Sequence, residues 1–161
     1  MSPRAADPAV RMSLIETGAR ILAGDGRSAL STRRVAAEAG TSTMAVYTHF
    51  GSMDQLCRAI RAEGFARLAE RLDALPRTGD EVADLAAAGL VYFTSGLTSP
   101  EMYRAMFTDR PAEGDGDAGV GIFERLVEDV RRCIAAGRFP SADPSMTAAW
   151  AGEIWTMRHG H

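Results

Sequence analysis

Apolar residues recur along this chain at helical spacing, and no strand-like alternation of useful length appears. Leu14, Gly18, Ile21 and Leu22 follow an i, i+4, i+7, i+8 pattern, which predicts a first helix over residues 8–23, ended by Gly24-Asp25-Gly26. Two short helices are expected over 32–39 and 42–49. A long helix over 53–75 follows, opened by Gly51-Ser52, with Leu56, Ile60, Leu68 and Leu72 on its inner side. Pro76-Arg77-Thr78-Gly79 is the clearest break. Beyond it, 81–97 is apolar and Ala-rich, with Val82, Leu85, Leu90, Val91 and Phe93. Ser99-Pro100 starts a short helix through Met102, Tyr103, Met106 and Phe107, and a loop is expected over 111–121. Residues 123–136 carry Phe123, Leu126, Val127, Val130 and Ile134 as a core stripe, stopped by Gly137-Arg138-Phe139-Pro140. A last helix opens near Asp143-Pro144 and runs through Trp150 and Trp155. The class is therefore all-α.

Residues 31–56 are the most specific stretch. Ser31 is a candidate N-cap for the first short helix, and Ser42 for the second. Val35, Ala36 and Ala39 recur on one face, where two alanines let another backbone approach closely. Gly40 stands where a helix C-terminus needs a left-handed residue. Val46 and Phe50 lie four apart on the inner face of the second helix, which leaves Thr43, Met44, Tyr47, Thr48 and His49 outside. Two short helices joined by a tight Gly turn are the build of a helix-turn-helix.

The ordered set Val35-Ala36-x-x-Ala39-Gly40-x-Ser42-x-x-x-Val46-Tyr47-x-His49-Phe50, followed by Ser52-x-x-x-Leu56, resembles the DNA-binding domain of the TetR family of bacterial transcriptional regulators. The resemblance runs from about Val10 to about Leu72. It implies a three-helix DNA-binding domain over 8–75, joined by the long helix to a helical ligand-binding and dimerisation domain over 80–161. By position, Thr32 and Arg33 match residues that touch phosphate or a base edge at the rim of the groove. Thr43 and Met44 match residues that read bases, Met44 through apolar contact with thymine methyls. Tyr47 and His49 match phosphate clamps, and Ser42 and Thr48 complete the DNA-contacting set. Met53 departs from the family, which commonly has Lys there. Arg4 and Arg11 could supply that charge instead, and binding is expected to depend less on salt than in typical members.

Composition supports this picture without deciding it. At 46% hydrophobic and 24% charged, 161 residues can bury a real core. The net charge of −3 conceals a split: residues 1–79 hold 11 Arg against 8 acids, and residues 80–161 hold 7 Arg against 13 acids. A basic front end suits contact with phosphate. All basic residues are Arg, which follows mainly from genomic codon bias. No apolar run reaches the roughly 20 residues of a membrane span, and the N-terminus is unlike a signal peptide. Cys57 and Cys133 belong to no Cys-x-x-Cys pair and are expected as buried free thiols in a reducing cytoplasm.

Other chemistry is poorly supported. Gly114-Asp115-Gly116-Asp117-Ala118-Gly119 fits G-x-G-x-x-G, but no strand precedes it and its carboxylates would repel pyrophosphate. A calcium loop would need a bidentate Glu at its twelfth position, which is lacking. His159 and His161 point to different sides of a helix with no adjoining ligands, so no metal is expected. No catalytic constellation suggests an enzyme, and no cofactor is expected. The aromatic and Met residues of the second half suit a core, and also a pocket for an apolar effector, with Phe93, Met106, Phe107, Trp150 and Trp155 as candidate lining.

The resulting expectation is a cytoplasmic, ligand-responsive repressor that binds a pseudo-palindromic DNA operator as a homodimer. The alternative is a helical ligand-binding or protein-interaction module that kept the helical corner and lost operator binding. Met53 and the small positive excess favour it. So does the end of the chain at Arg158-His159-Gly160-His161, which has no cap: the protein is expected either to be unusually short or to end early, leaving the dimer interface in question.

Overall fold

The computed structural model describes residues 7–108, 119–140, 147, 149, 151 and 152. Among them are seven α-helices and no strand: α1 (Pro8–Asp25), α2 (Thr32–Glu38), α3 (Thr43–Phe50), α4 (Met53–Asp73), α5 (Glu81–Thr98), α6 (Pro100–Thr108) and α7 (Val120–Ala135). The all-α expectation holds. Residues 147, 149, 151 and 152 are helical, whereas the opening of that segment at Asp143-Pro144 lies outside the described residues. So do Arg4, the Gly114–Ala118 part of the glycine-rich loop, Trp150, Trp155, His159 and His161. No described helix is long and apolar enough to cross a membrane.

Helix boundaries differ from the sequence expectation by one to three residues, α4 for example ending at Asp73 rather than 75, and two of the differences are instructive. Gly24 does not end α1, which runs to Asp25 and closes through the Gly26 N–H onto the Leu22 carbonyl at 3.2 Å. A glycine in a helix interior costs only about 1 kcal/mol against alanine, so one exposed near the end is tolerated. The helix expected from 123 begins instead at Val120, because Ile122 in its first turn is buried at 7% exposure. A 3-10 turn at Arg27–Ala29 links α1 to α2 and was not signalled by the pattern.

The chain divides into two compact units that interleave: unit 1 is Met1–Arg67 with Ser95–Gly116, and unit 2 is Leu68–Thr94 with Asp117–His161. The break at 76–79 is the turn between α4 and α5 and lies inside unit 2.

Unit 1 is built on one apolar core. Leu14, Ile15, Ile21 and Leu22 of α1, Val35 and Ala36 of α2, Val46 and Phe50 of α3, and Leu56 and Ile60 of α4 meet there, joined by Met102 and Ala105 of α6. Removing each large aliphatic side chain from water stabilises the fold by about 1.5–3 kcal/mol. At Gly64 the α4 backbone meets α6 so closely that a Cβ would sit 2.3 Å from Met106 Cγ. The Arg61 guanidinium donates to the Met106 carbonyl and lies over the Phe65 ring at 5.1 Å.

Unit 2 has a core of Leu85, Leu126, Val130, Cys133 and Ala151, with Val82, Phe123, Val127, Ile134 and Phe139 packed against it. Two carboxylates are buried beside it. Asp84 accepts from the Thr78 N–H at 3.1 Å, the Thr78 hydroxyl at 2.7 Å and Arg132 at 3.0 Å. Asp129 accepts from Arg77. The 76–79 turn is thereby tied to α7. Both cysteines are buried and free of disulfides, and burial pushes the Cys133 thiol up.

Candidate nucleic-acid interface

Hydrogen bonds at their ends set the geometry of α2 and α3. The Ser31 hydroxyl accepts from the Arg34 N–H at 3.3 Å, opening α2 as an N-cap. The helix closes in a Schellman arrangement: the Thr41 N–H reaches the Ala36 carbonyl at 2.9 Å and the Gly40 N–H reaches Ala37 at 3.2 Å. This requires positive φ at residue 40, which glycine supplies at 68°. Ser42 then caps α3, accepting from the Ala45 N–H at 3.1 Å. Ser52 repeats the device for α4 with the Gln55 N–H at 3.2 Å.

With Val46 and Phe50 in the core, α3 turns its opposite face outward. Met44 is 71% exposed and Tyr47 56%, and Thr43 and Thr48 are also exposed. These positions fall at i, i+1, i+4 and i+5, one contiguous strip of helix surface. The Thr48 hydroxyl donates to the Met44 carbonyl at 2.9 Å. His49 is half-buried, with its ring centroid 6.1 Å from that of Phe50. Ser42 is exposed, but its hydroxyl oxygen is already engaged as the cap.

On α2, Thr32 is half-buried in the first turn and Arg33 is exposed. The two adjacent arginines have separate fates. Arg34 bonds Glu38 at 2.7 Å and pairs with Asp25, and Glu38 also pairs with Arg20 at 2.8 Å. These hydrogen bonds, with Glu38 first, raise the Arg34 pKa, and the Arg34 and Arg20 bonds hold Glu38 below its ordinary value. Arg33 has no ion-pair partner among the described residues. Arg11 lies over the Phe50 ring at 5.3 Å. Met53, where a lysine was anticipated from the resemblance, is partly buried against the unit 1 core. Packing, rather than charge, occupies that position.

The candidate effector residues are dispersed. Met106 is 3% exposed and packs against Gly64. The Phe107 ring meets Phe65 edge-on at 5.8 Å and Tyr103 at 5.2 Å. Phe93 is 65% exposed on α5. Unit 2 contains a cavity of about 20 Å³ lined by Leu72, Ala88, Tyr92, Ile122, Arg125, Leu126 and Asp129. Of the described candidates, Phe93, Met106 and Phe107 do not line it. Arg125 had carried no signal in the sequence, since its burial depends on donating to the Leu72 carbonyl at 2.7 Å and pairing with Asp73.

Comparison with known proteins agrees with this geometry. The model of bacterial regulatory proteins of the tetR family matches residues 14–60, spanning α2 and α3. A bacterial regulatory protein in the tetR family from Rhodococcus RHA1 superimposes with a TM-score of 0.79 at 19% identity, covering 92% of this chain and 82% of that one. PfmR, a TetR family transcriptional regulator from Thermus thermophilus, gives 0.75 at 19% identity, with 92% and 86% covered. EbrR, a multidrug binding protein complexed with imidazole, gives 0.56 at 20% identity, with 94% and 92% covered. No curated protein matches the sequence. Residues 14–60, the helix-turn-helix domain, thus match the tetR family of bacterial regulatory proteins, and the chain shares the fold of tetR-family transcription regulators.

Proposed function

We propose that this protein is a cytoplasmic, ligand-responsive repressor that binds a pseudo-palindromic operator as a homodimer, with one α3 in each of two major grooves about 34 Å apart. The observation that carries the reading is the exposed strip of α3 against its buried Val46 and Phe50. In this role Thr43 and Met44 face base edges, while Thr32, Arg33, Ser42, Tyr47, Thr48 and His49 contact phosphate and the groove rim. The free N–H groups at the N-terminus of α3 add a favourable field for a phosphate.

The effector is a small apolar molecule taken up by the C-terminal helices. Support comes from the multidrug-binding relative and from the largely apolar lining of the unit 2 cavity. A volume of about 20 Å³ holds little more than one water. Binding therefore requires that cavity to open, displacing α5 or α7 from Leu72 of α4. Phe93, Met106 and Phe107 retain a proposed part in this response, as do Trp150 and Trp155, which lie outside the described residues. Since α4 contributes to both units, its displacement is the proposed route from effector to recognition helix.

Fluorescence anisotropy with duplex from upstream of the protein's own gene tests the reading. Saturable binding that disappears when the palindrome is scrambled supports it. A flat titration favours the module that lost operator binding, for which the burial of Met53 is the relevant observation.

A further inference from the structure

We propose that α3 reads the C5-methyl groups of pyrimidines in the major groove, so that this protein distinguishes thymine from uracil and 5-methylcytosine from cytosine at the base facing Met44. The inference rests on α3 being the recognition helix.

Met44 is the most exposed of the large apolar side chains among the described residues, at 71%. Its long, polarisable side chain suits irregular apolar contact. The polar groups around it offer little competing readout. Helix α3 (Thr43–Phe50) contains no Asn, Gln, Arg, Lys, Asp or Glu, the side chains that pair with base edges in two-bond or charged contacts. The Thr48 hydroxyl proton is committed to the Met44 carbonyl, and the Ser42 hydroxyl oxygen to the Ala45 N–H. On α2, Arg34 is held by Glu38 and Asp25, and the exposed Arg33 is assigned to phosphate and the groove rim rather than to the base facing Met44. Only the Thr43 hydroxyl and the Tyr47 phenol remain on the strip, and single hydroxyls discriminate weakly.

The apolar feature a base presents in the major groove is the C5 methyl of thymine. The C5 atom of cytosine is also exposed in that groove, so methylation there presents an equivalent surface. With no two-bond or charged reader on α3, discrimination at the base facing Met44 comes from methyl contact and from DNA shape. Of these two sources, only methyl contact depends on the side chain at position 44.

The test uses the intact protein and a random duplex pool prepared with thymidine. The enriched duplex is remade with deoxyuridine at one thymidine at a time, and at the responsive position with C·G and with 5-methyl-C·G. Loss of one contacted methyl weakens binding about fourfold, and 5-methylcytosine binds tighter than cytosine by a similar factor. Met44→Gln, nearly isosteric and on an exposed site, removes both differences. Equal affinity for the thymine and uracil duplexes overturns methyl reading while leaving DNA binding intact. An undiminished uracil effect in Met44→Gln also overturns it, because DNA shape then carries the difference. Failure to enrich any duplex overturns this inference together with the proposed function.

Discussion

Unit 1 keeps its ion pairs at the rim, whereas unit 2, beside exposed pairs of its own, buries two paired carboxylates. The Arg20–Glu38 side chains are 51% and 30% exposed, and those of Arg34 and Asp25 37% and 53%. In unit 2 the Asp84 and Asp129 side chains are 6% and 5% exposed, each against an arginine. Solvent screens the first kind, so removing one member costs little. A buried pair is different: losing one member leaves the other desolvated and unmatched. Unit 1 is therefore specified by apolar burial and helix caps, and unit 2 partly by fixed polar contacts that tie the 76–79 turn to α7. Helices α2 and α3 stand on the part of the molecule whose shape depends least on charge.

The largest expected effect is in the unit 1 core. Ile15, at 0% exposure, sits among side chains that cannot fill its place. Ile15→Ala is expected to lower unfolding free energy by about 2–5 kcal/mol in a urea titration. A loss similar to that of an exposed substitution would show that this core is not what holds unit 1 together.

Asp84→Asn is expected to lower the melting temperature by less than Ile15→Ala does, and in a pH-dependent way. The Thr78 hydroxyl, with Arg132 and the Thr78 N–H, holds the Asp84 carboxyl below the usual range, against the opposing effect of burial. Because the folded value is the lower one, the contribution of the ionised group is complete above the unfolded pKa of about 4. It is lost as pH falls through the folded value. The deficit of Asp84→Asn should thus be largest near neutrality and shrink on acidification. A deficit unchanged between pH 7 and pH 3 would remove ionised Asp84 from the explanation.

Ser42→Ala, which deletes the N-cap of α3, has the smallest expected effect, about 1 kcal/mol. Hydrogen exchange in the first turn of α3 should quicken. Unchanged protection there would mean that packing through Val46 and Phe50 orients the helix without the cap.

The helix-turn-helix was legible because its signals are local. Ser31, Gly40 and Ser42 act on backbone groups within a few residues, so their spacing specifies their roles. The outward strip of α3 followed from the inward pair Val46 and Phe50. Helix α5 was harder because it is apolar on several sides: Leu85 and Tyr92 are buried, while Leu90, Phe93 and Leu97 are 62–66% exposed. Periodicity cannot choose a face where no polar face opposes it. The roles of Asp84, Asp129 and Arg125 depended on partners from 6 to 53 residues away, which no local pattern reveals. Met106 read as a candidate pocket group for the same reason, since its packing partner Gly64 lies on another helix.

Tyr47 bears most directly on whether the outer strip of α3 grips duplex DNA, because it is 56% exposed and its removal leaves the core untouched. Anisotropy of Tyr47→Ala with an enriched duplex, alongside its far-ultraviolet circular dichroism, is the decisive measurement. Loss of saturable binding with an unchanged helical spectrum is the predicted result. Wild-type affinity, or loss of helicity together with binding, would contradict it.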